Sequence, residues 1–485
     1  MSRAPRILIA TLALGLVIPS FFFSAPTSVA ATGCAAGNHV AGDLDSDGLA
    51  DVVVGVPSYD DDRGAVDILF SGGERRFVRA TDLGVTSHAG DRFGASVAIG
   101  DLDSDGCADL AIGSPGRDSS LGAVHLVGSA GNRSLTRLST FAGTAAHGSF
   151  GAQVLLLTGP QLVVSAPTAD DGSRWEAGQV QVLPLTTAGA LASPRVVLTQ
   201  NSPGVPGSSE NGDRFGTALA GQDRTMVIGT PDEAVGTRTD AGSVTILSAK
   251  STAPTSYAGV GVTQNTAGVP GTAETADRFG AAVAFRDHYV LVGVPGETVG
   301  SARSTGMVHV LNFDPAARTF RSLRALSQDS SGIPGANESG DQFGSAVALG
   351  INTWSQLTAI VGAPGEAIGS VKGAGAVTMF RANYTGGLST SVRQGAGGIA
   401  GAPETGDHFG ASIGVLTGDL DDGEAMVDGV VIGAPSEDIG SIHDAGSVTY
   451  TRSTDTWYSL VLEDTDEDDI PADVHFGEVA AQVAA

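Results

Sequence analysis

The chain has 485 residues, of which 26 are basic and 53 acidic, giving a net charge of −27; 69 are glycine, and only 16% are charged and 5% aromatic. So much glycine and so little charge exclude coiled coils and helical bundles, and the acidic excess excludes sequence-independent binding to nucleic acid or anionic lipid, which needs Lys and Arg. A hydrophobic content of 41% is too high for a disordered acidic chain and leaves a folded, all-β protein. Lysine occurs only at Lys250 and Lys372, a bias typical of high-GC bacterial coding.

Residues 1–30 read as a cleaved secretory signal. Arg3 and Arg6 precede an apolar run of 17 residues (7–23), and the small residues 28–30 form a cleavage site. The run holds Pro19 and sits near the lower limit for spanning a bilayer, so no membrane span is expected after cleavage. An exported chain with two cysteines, Cys34 and Cys107, could form one disulfide, although spacing does not decide it.

Residues 31–485 read as one unit copied seven times. The clearest copy runs from 90 to 129, GDRFGASVAIGDLDSDGCADLAIGSPGRDSSLGAVHLVGS. Phe-Gly stands at 93–94, 150–151, 215–216, 279–280, 343–344, 409–410 and 476–477. A Gly/Ser-x-Pro closes an apolar run at Pro57, Pro115, Pro167, Pro231, Pro295, Pro364 and Pro435. A Gly-x-Val opens the next run at Gly64, Gly122, Gly178, Gly242, Gly306, Gly375 and Gly446. Each copy holds four short Val- and Ala-rich runs bounded by Gly, Pro, Asp and Ser, which predicts four strands. Tandem four-stranded units remove their open edges by closing into a ring. The expected fold is therefore a seven-bladed β-propeller. The first copy lacks a Phe-Gly and the chain ends in HFGEVAAQVAA (475–485), so the C-terminal strand is expected to complete blade one. Residues 38–42 are the alternative source of that strand.

Three marks in fixed order, seven times, resemble the FG-GAP repeats of the integrin α-subunit propeller, which also occur in secreted bacterial proteins. The resemblance covers about residues 34–485 and implies an extracellular propeller.

Two copies carry an acidic nonapeptide between the first and second strands, DLDSDGLAD (43–51) and DLDSDGCAD (101–109). Carboxylates at positions 1, 3, 5 and 9, with Gly at 6 for a sharp turn, form a hard oxygen set that suits Ca²⁺. Asp43, Asp45, Asp47 and Asp51, with the Leu49 carbonyl, would hold one ion. Asp101, Asp103, Asp105 and Asp109, with the Cys107 carbonyl, would hold a second. Unfilled, such loops would be polar turns with four mutually repelling carboxylates. The calcium loops of FG-GAP proteins follow the same spacing. An altered loop, DLDDGEAMVD, offers Asp419, Asp421 and Asp428 for a third ion. Because consecutive turns alternate between faces of the ring, these loops share one face.

The opposite face carries repeated carboxylates in copies four to seven: Glu210 and Asp213, Glu274 and Asp277, Glu338 and Asp341, Glu404 and Asp407, then Glu233, Glu297, Glu366 and Glu437. They read either as caps tying blade to blade or as a ligand rim carried on loops. The G-x-S-x-G match at 410–414 falls in a predicted first strand rather than a strand–turn–helix elbow, so Ser412 is not read as a nucleophile. A catalytic pair is needed once, whereas these carboxylates recur. The expected function is a secreted, calcium-stabilised, monomeric and non-catalytic binding or adhesion module with an extracellular protein or glycan ligand. The alternative is a propeller hydrolase or lyase acting on polysaccharide or lipid.

Overall fold

The computed structural model describes residues 40–250, 256–352, 356–384, 389–416, 429–452, 456–461 and 474–483. The segment read as a signal peptide, Cys34, and Asp419, Asp421 and Asp428 lie outside them.

Seven antiparallel sheets follow one another along the chain. Blade two shows the plan. Its inner strand is Ser96–Gly100, followed by Asp109–Ser114, Ala123–Ser129 and the outer Leu135–Ala142. The middle two strands are buried almost throughout because both their faces meet neighbouring blades, and the outer strand is largely exposed or half-buried. Inner strands touch their neighbours in turn around the ring. The fold is thus the seven-bladed propeller that the repeats predict.

Steric necessity at the seams explains the repeated marks. All seven Phe residues of the Phe-Gly pairs are fully buried. In six seams the second-strand glycine of one blade lies against the Phe-Gly carbonyl of the next. A Cβ on Gly55, Gly113, Gly229, Gly293, Gly362 or Gly433 would fall 1.9 to 2.1 Å from the carbonyl oxygen of Gly94, Gly151, Gly280, Gly344, Gly410 or Gly477. The seventh seam has Ser165 in place of that glycine, facing Gly216, where an added Cβ would lie 3.2 Å from the Ser165 Cβ. The Gly-x-Val glycines complete each seam: Gly64, at φ 80°, forms a parallel bridge with Phe93, and a Cβ on it would lie 2.1 Å from the Phe93 carbonyl oxygen. Ser96 and Ser412 share this duty. Their hydroxyls donate to the carbonyls of Gly151 and Gly477 at 2.8 and 2.6 Å, which places Ser412 in a seam on an inner strand.

The C-terminal segment closes the ring, and does more than the sequence suggests. Phe476-Gly477 packs into blade seven like any other Phe-Gly pair. Val479–Ala480 then pairs antiparallel with Val52–Val56 as the inner strand of blade one. Gln482–Val483 continues into parallel pairing with Ser96–Gly100, so blade two has five strands. Val40–Gly42 does not compete for the place. It is a turn, with the Asp43 amide donating to the Val40 carbonyl at 3.1 Å and Val40 buried beside Phe476 and Tyr450.

Candidate metal centre and the opposite loops

The first acidic loop is wound around its own carboxylates. Asp43 Oδ1 accepts the amides of Asp45, Ser46 and Asp47 (3.2, 2.6 and 3.3 Å), and Oδ2 accepts that of Gly48 (2.8 Å). Asp51 ties the loop to the blade, accepting the amides of Leu44 and Ser71, both at 2.8 Å. Asp109 does the same in the second loop, with Leu102 at 2.8 Å and Ser129 at 3.1 Å. The two loops are stitched together, because the Ala108 amide donates to the Asp43 carbonyl (2.7 Å) and the Ser129 hydroxyl donates to the Leu44 carbonyl.

Three of the four predicted carboxylates converge in each loop. Single oxygens of Asp43, Asp45 and Asp47 lie within 4.8 Å of one another, as do those of Asp101, Asp103 and Asp109. Asp51 and Asp105 stand outside these sets, Asp105 Oδ1 accepting the Cys107 amide at 2.9 Å. Leu49 is half exposed, and Cys107 is buried and disulfide-bonded. Burial raises Asp51 to about 8, Asp109 to about 7 and Asp43 to about 6, and it also raises Asp103. Neighbouring aspartates add repulsion in the same direction. A cation in each loop would offset both costs.

The donors fit a hard divalent ion. They are all oxygen, they are clustered, and Asp45 Oδ1 is buried without a hydrogen-bond partner. Sequence reasoning missed Arg133. It reaches from the blade-two outer hairpin to Asp45 Oδ2 at 2.7 Å and also pairs with Glu74, which places a fixed positive charge at the edge of the first loop. No spacing rule could reveal it, since it lies 88 residues from Asp45.

On the other face the four repeated glutamates have partners. Gln200 Nε2 donates to Glu233 at 2.5 Å, Gln264 to Glu297 at 2.6 Å, Gln328 to Glu366 at 2.5 Å, and Gln394 to Glu437. Each pair ties an inter-blade connection to the following blade's second turn. The aspartates cap their own turns: Asp213, Asp277, Asp341 and Asp407 accept the amides of Glu210, Glu274, Glu338 and Glu404 at 2.5 to 2.6 Å.

These groups carry a pH signature. Burial raises Glu233, Glu297 and Glu437 to about 7 and Glu366 upward. An acid with a native pKa above its unfolded value binds more protons when folded, so stability rises as pH falls from about 7 toward about 4.5. Buried His125 and His309, lowered to about 4 by burial, oppose this below about 6.5. Replacing Glu233, Glu297, Glu366 and Glu437 together by Gln mimics the protonated acids. In chelator, the variant should melt at or above wild type at pH 8, and the two should converge at pH 5. A variant that melts well below wild type at pH 8 would show that the ionised carboxylates hold the loops.

An FG-GAP repeat family model matches residues 93–127, the first Phe-Gly and its following strands. The chain thus holds a match to an FG-GAP repeat at residues 93–127, and the Phe-Gly of that repeat recurs seven times along it. It is 39% identical to mouse (Mus musculus) integrin alpha-X over 90 residues, which are 17% of this chain and 8% of that protein. It is 38% identical to integrin alpha pat-2 of Caenorhabditis elegans over 74 residues, 15% of this chain and 6% of that one. The chain therefore spans less than a tenth of the length of these relatives. A solved 6-phosphogluconolactonase-like protein of Bacteroides uniformis is similar at 11% identity and a TM-score of 0.46, over 87% of this chain and 96% of that one. A Bacteroides fragilis counterpart gives 12% and 0.46, over 90% and 98%. Likeness at that level says nothing about activity. Among the described residues no helix is long and apolar enough to cross a membrane.

Proposed function

We propose that this FG-GAP propeller is an exported, non-catalytic binding module, stiffened by calcium on one face and presenting its ligand loops on the other. The observation that carries this reading is the division of labour between faces. Acidic loops with an unpartnered buried oxygen gather on one side. Long loops fixed by Gln–Glu pairs and Asp caps stand on the other. Residues 1–30 supply the route outside the cell, and the ligand is an extracellular protein or glycan. The test is a protein and glycan binding array, run beside glycoside and ester substrates with and without chelator. Turnover of any substrate would favour the propeller enzyme instead.

Calcium has its own test. An ion that binds only the folded state stabilises it by about 1.4 kcal/mol per site at ten times its Kd, and extracellular sites often have a Kd of about 10⁻⁴ to 10⁻³ M. The melting temperature should therefore climb through the millimolar range. Asp45→Ala with Asp103→Ala should remove most of that rise. Melting that ignores chelator would reject the sites.

A further inference from the structure

Features that hold a repeat protein together recur in every repeat, whereas a ligand needs one place. One cluster on the loop face breaks the repeat. Trp175 occupies a turn position that the following blades fill with Thr239, Arg303, Lys372 and His443. Asp232 follows its blade's proline where the others have Ser58, Gly116, Thr168, Gly296, Gly365 and Ser436. Both residues line one cavity of about 520 Å³ at the junction of the loops of blades three, four and five.

We propose that this cavity binds a neutral or amino saccharide, with the sugar ring stacked on Trp175. This rests on the binding-module reading above and names its site and ligand class. Trp175 is 55% exposed, the most exposed large hydrophobic side chain among the described residues. Its backbone is nevertheless fixed. Its amide donates to Asn211 Oδ1 at 3.2 Å, and its carbonyl accepts the Gly212 amide at 3.0 Å. The far end of the indole comes down beside Gly212, where an added Cβ would lie 3.5 Å from Cη2, so the chain limits the ring on that side. Such a platform loses little freedom on binding.

The polar groups beside it are arranged as donors and acceptors together. Asp232 pairs with Arg278 at 3.1 Å and Arg214 at 3.6 Å, and Arg214 pairs with Glu176 at 2.6 Å. Sugar hydroxyls each donate and accept, so they use both members of such pairs. The apolar C–H face of a pyranose suits the electron-rich face of an indole. Glu210 and Asp213 also line the cavity, and their negative charge disfavours an anionic polymer. At Gly296 and Gly365, which stand in the place of Asp232, a Cβ would fall 1.8 Å from the carbonyls of Ala276 and Gly340. A residue with a Cβ at this position therefore keeps the incoming loop at a distance.

The test is affinity electrophoresis of the protein through gels holding dextran, xylan, glucomannan, chitosan or alginate, followed by titration with oligosaccharides of the polymer that retards it. At least one neutral or amino polymer should retard the protein. Trp175→Ala should weaken that binding at least tenfold and Asp232→Asn severalfold, with melting unchanged. Retardation that survives Trp175→Ala would move the site elsewhere and leave the binding module standing. Retardation by alginate alone, or by none of the five, would overturn the saccharide assignment, and the protein array would then decide the module by itself.

Discussion

A chain ending at residue 473 should fail to reach the native monomer. Truncation there removes Phe476, fully buried in the blade-seven seam, together with the inner strand of blade one. Loss of a buried Phe side chain costs about 3–5 kcal/mol by itself, a large share of the roughly 5–15 kcal/mol that keeps a typical fold intact. The deletion also bares Val52–Val56 as an unpaired apolar edge, an invitation to intermolecular pairing. Size-exclusion chromatography should show aggregates, and thermal melting should show no cooperative transition at the wild-type temperature. Phe476→Ala in the full chain is the milder arm, expected to lose about 4 kcal/mol while staying monomeric. A truncated chain that remains monomeric with wild-type melting would remove the C-terminal strand from the account of closure.

Gly293→Ala should destabilise by about 3 kcal/mol, at the upper end of overpacking effects. The added methyl would lie 2.0 Å from the Gly344 carbonyl oxygen, and that neighbour is backbone, which cannot rotate aside. The two blades would have to separate. Gly300→Ala is the control. Gly300 has φ 65° and nothing within 4 Å of an added Cβ, so its substitution carries only the left-handed penalty of about 1–2 kcal/mol. Chemical denaturation of both variants separates lack of space from backbone strain. Equal losses would mean that blade contact does not dictate the glycine, and Ser165 would then need no special explanation.

These seams show why the fold was legible. A Phe-Gly pair and its facing glycine are demanded by contact between successive blades, so every copy must repeat them, and seven repetitions stand out above chance. The last residues were harder to read. Val479–Ala480 pairs over two residues only, and no turn signal in VAAQV separates it from the parallel strand that follows. The acidic loops were legible because their carboxylates lie within nine residues of one another. Arg133 and Trp175 were not. Arg133 acts across a blade boundary, and the meaning of Trp175 lies in its departure from the sister positions, visible only once the turns are superposed. The partners of Glu233, Glu297, Glu366 and Glu437 were legible in principle. A glutamine opens each of the four connections, but the pairing joins residues 33 to 43 positions apart, and only the ring brings them together.

The closing strand has a consequence for how the molecule is made. Val54 pairs with Ala480, so blade one waits for a segment more than four hundred residues downstream. At about 5–20 residues per second, that interval is roughly 20–80 s of synthesis. Blades two to six can assemble as they emerge, each leaning on its predecessor, while blade one holds an apolar edge open. The nascent chain is therefore exposed to aggregation at its beginning rather than at its end. A chaperone or translocase that delays folding until residue 480 is available would protect blade one above all others.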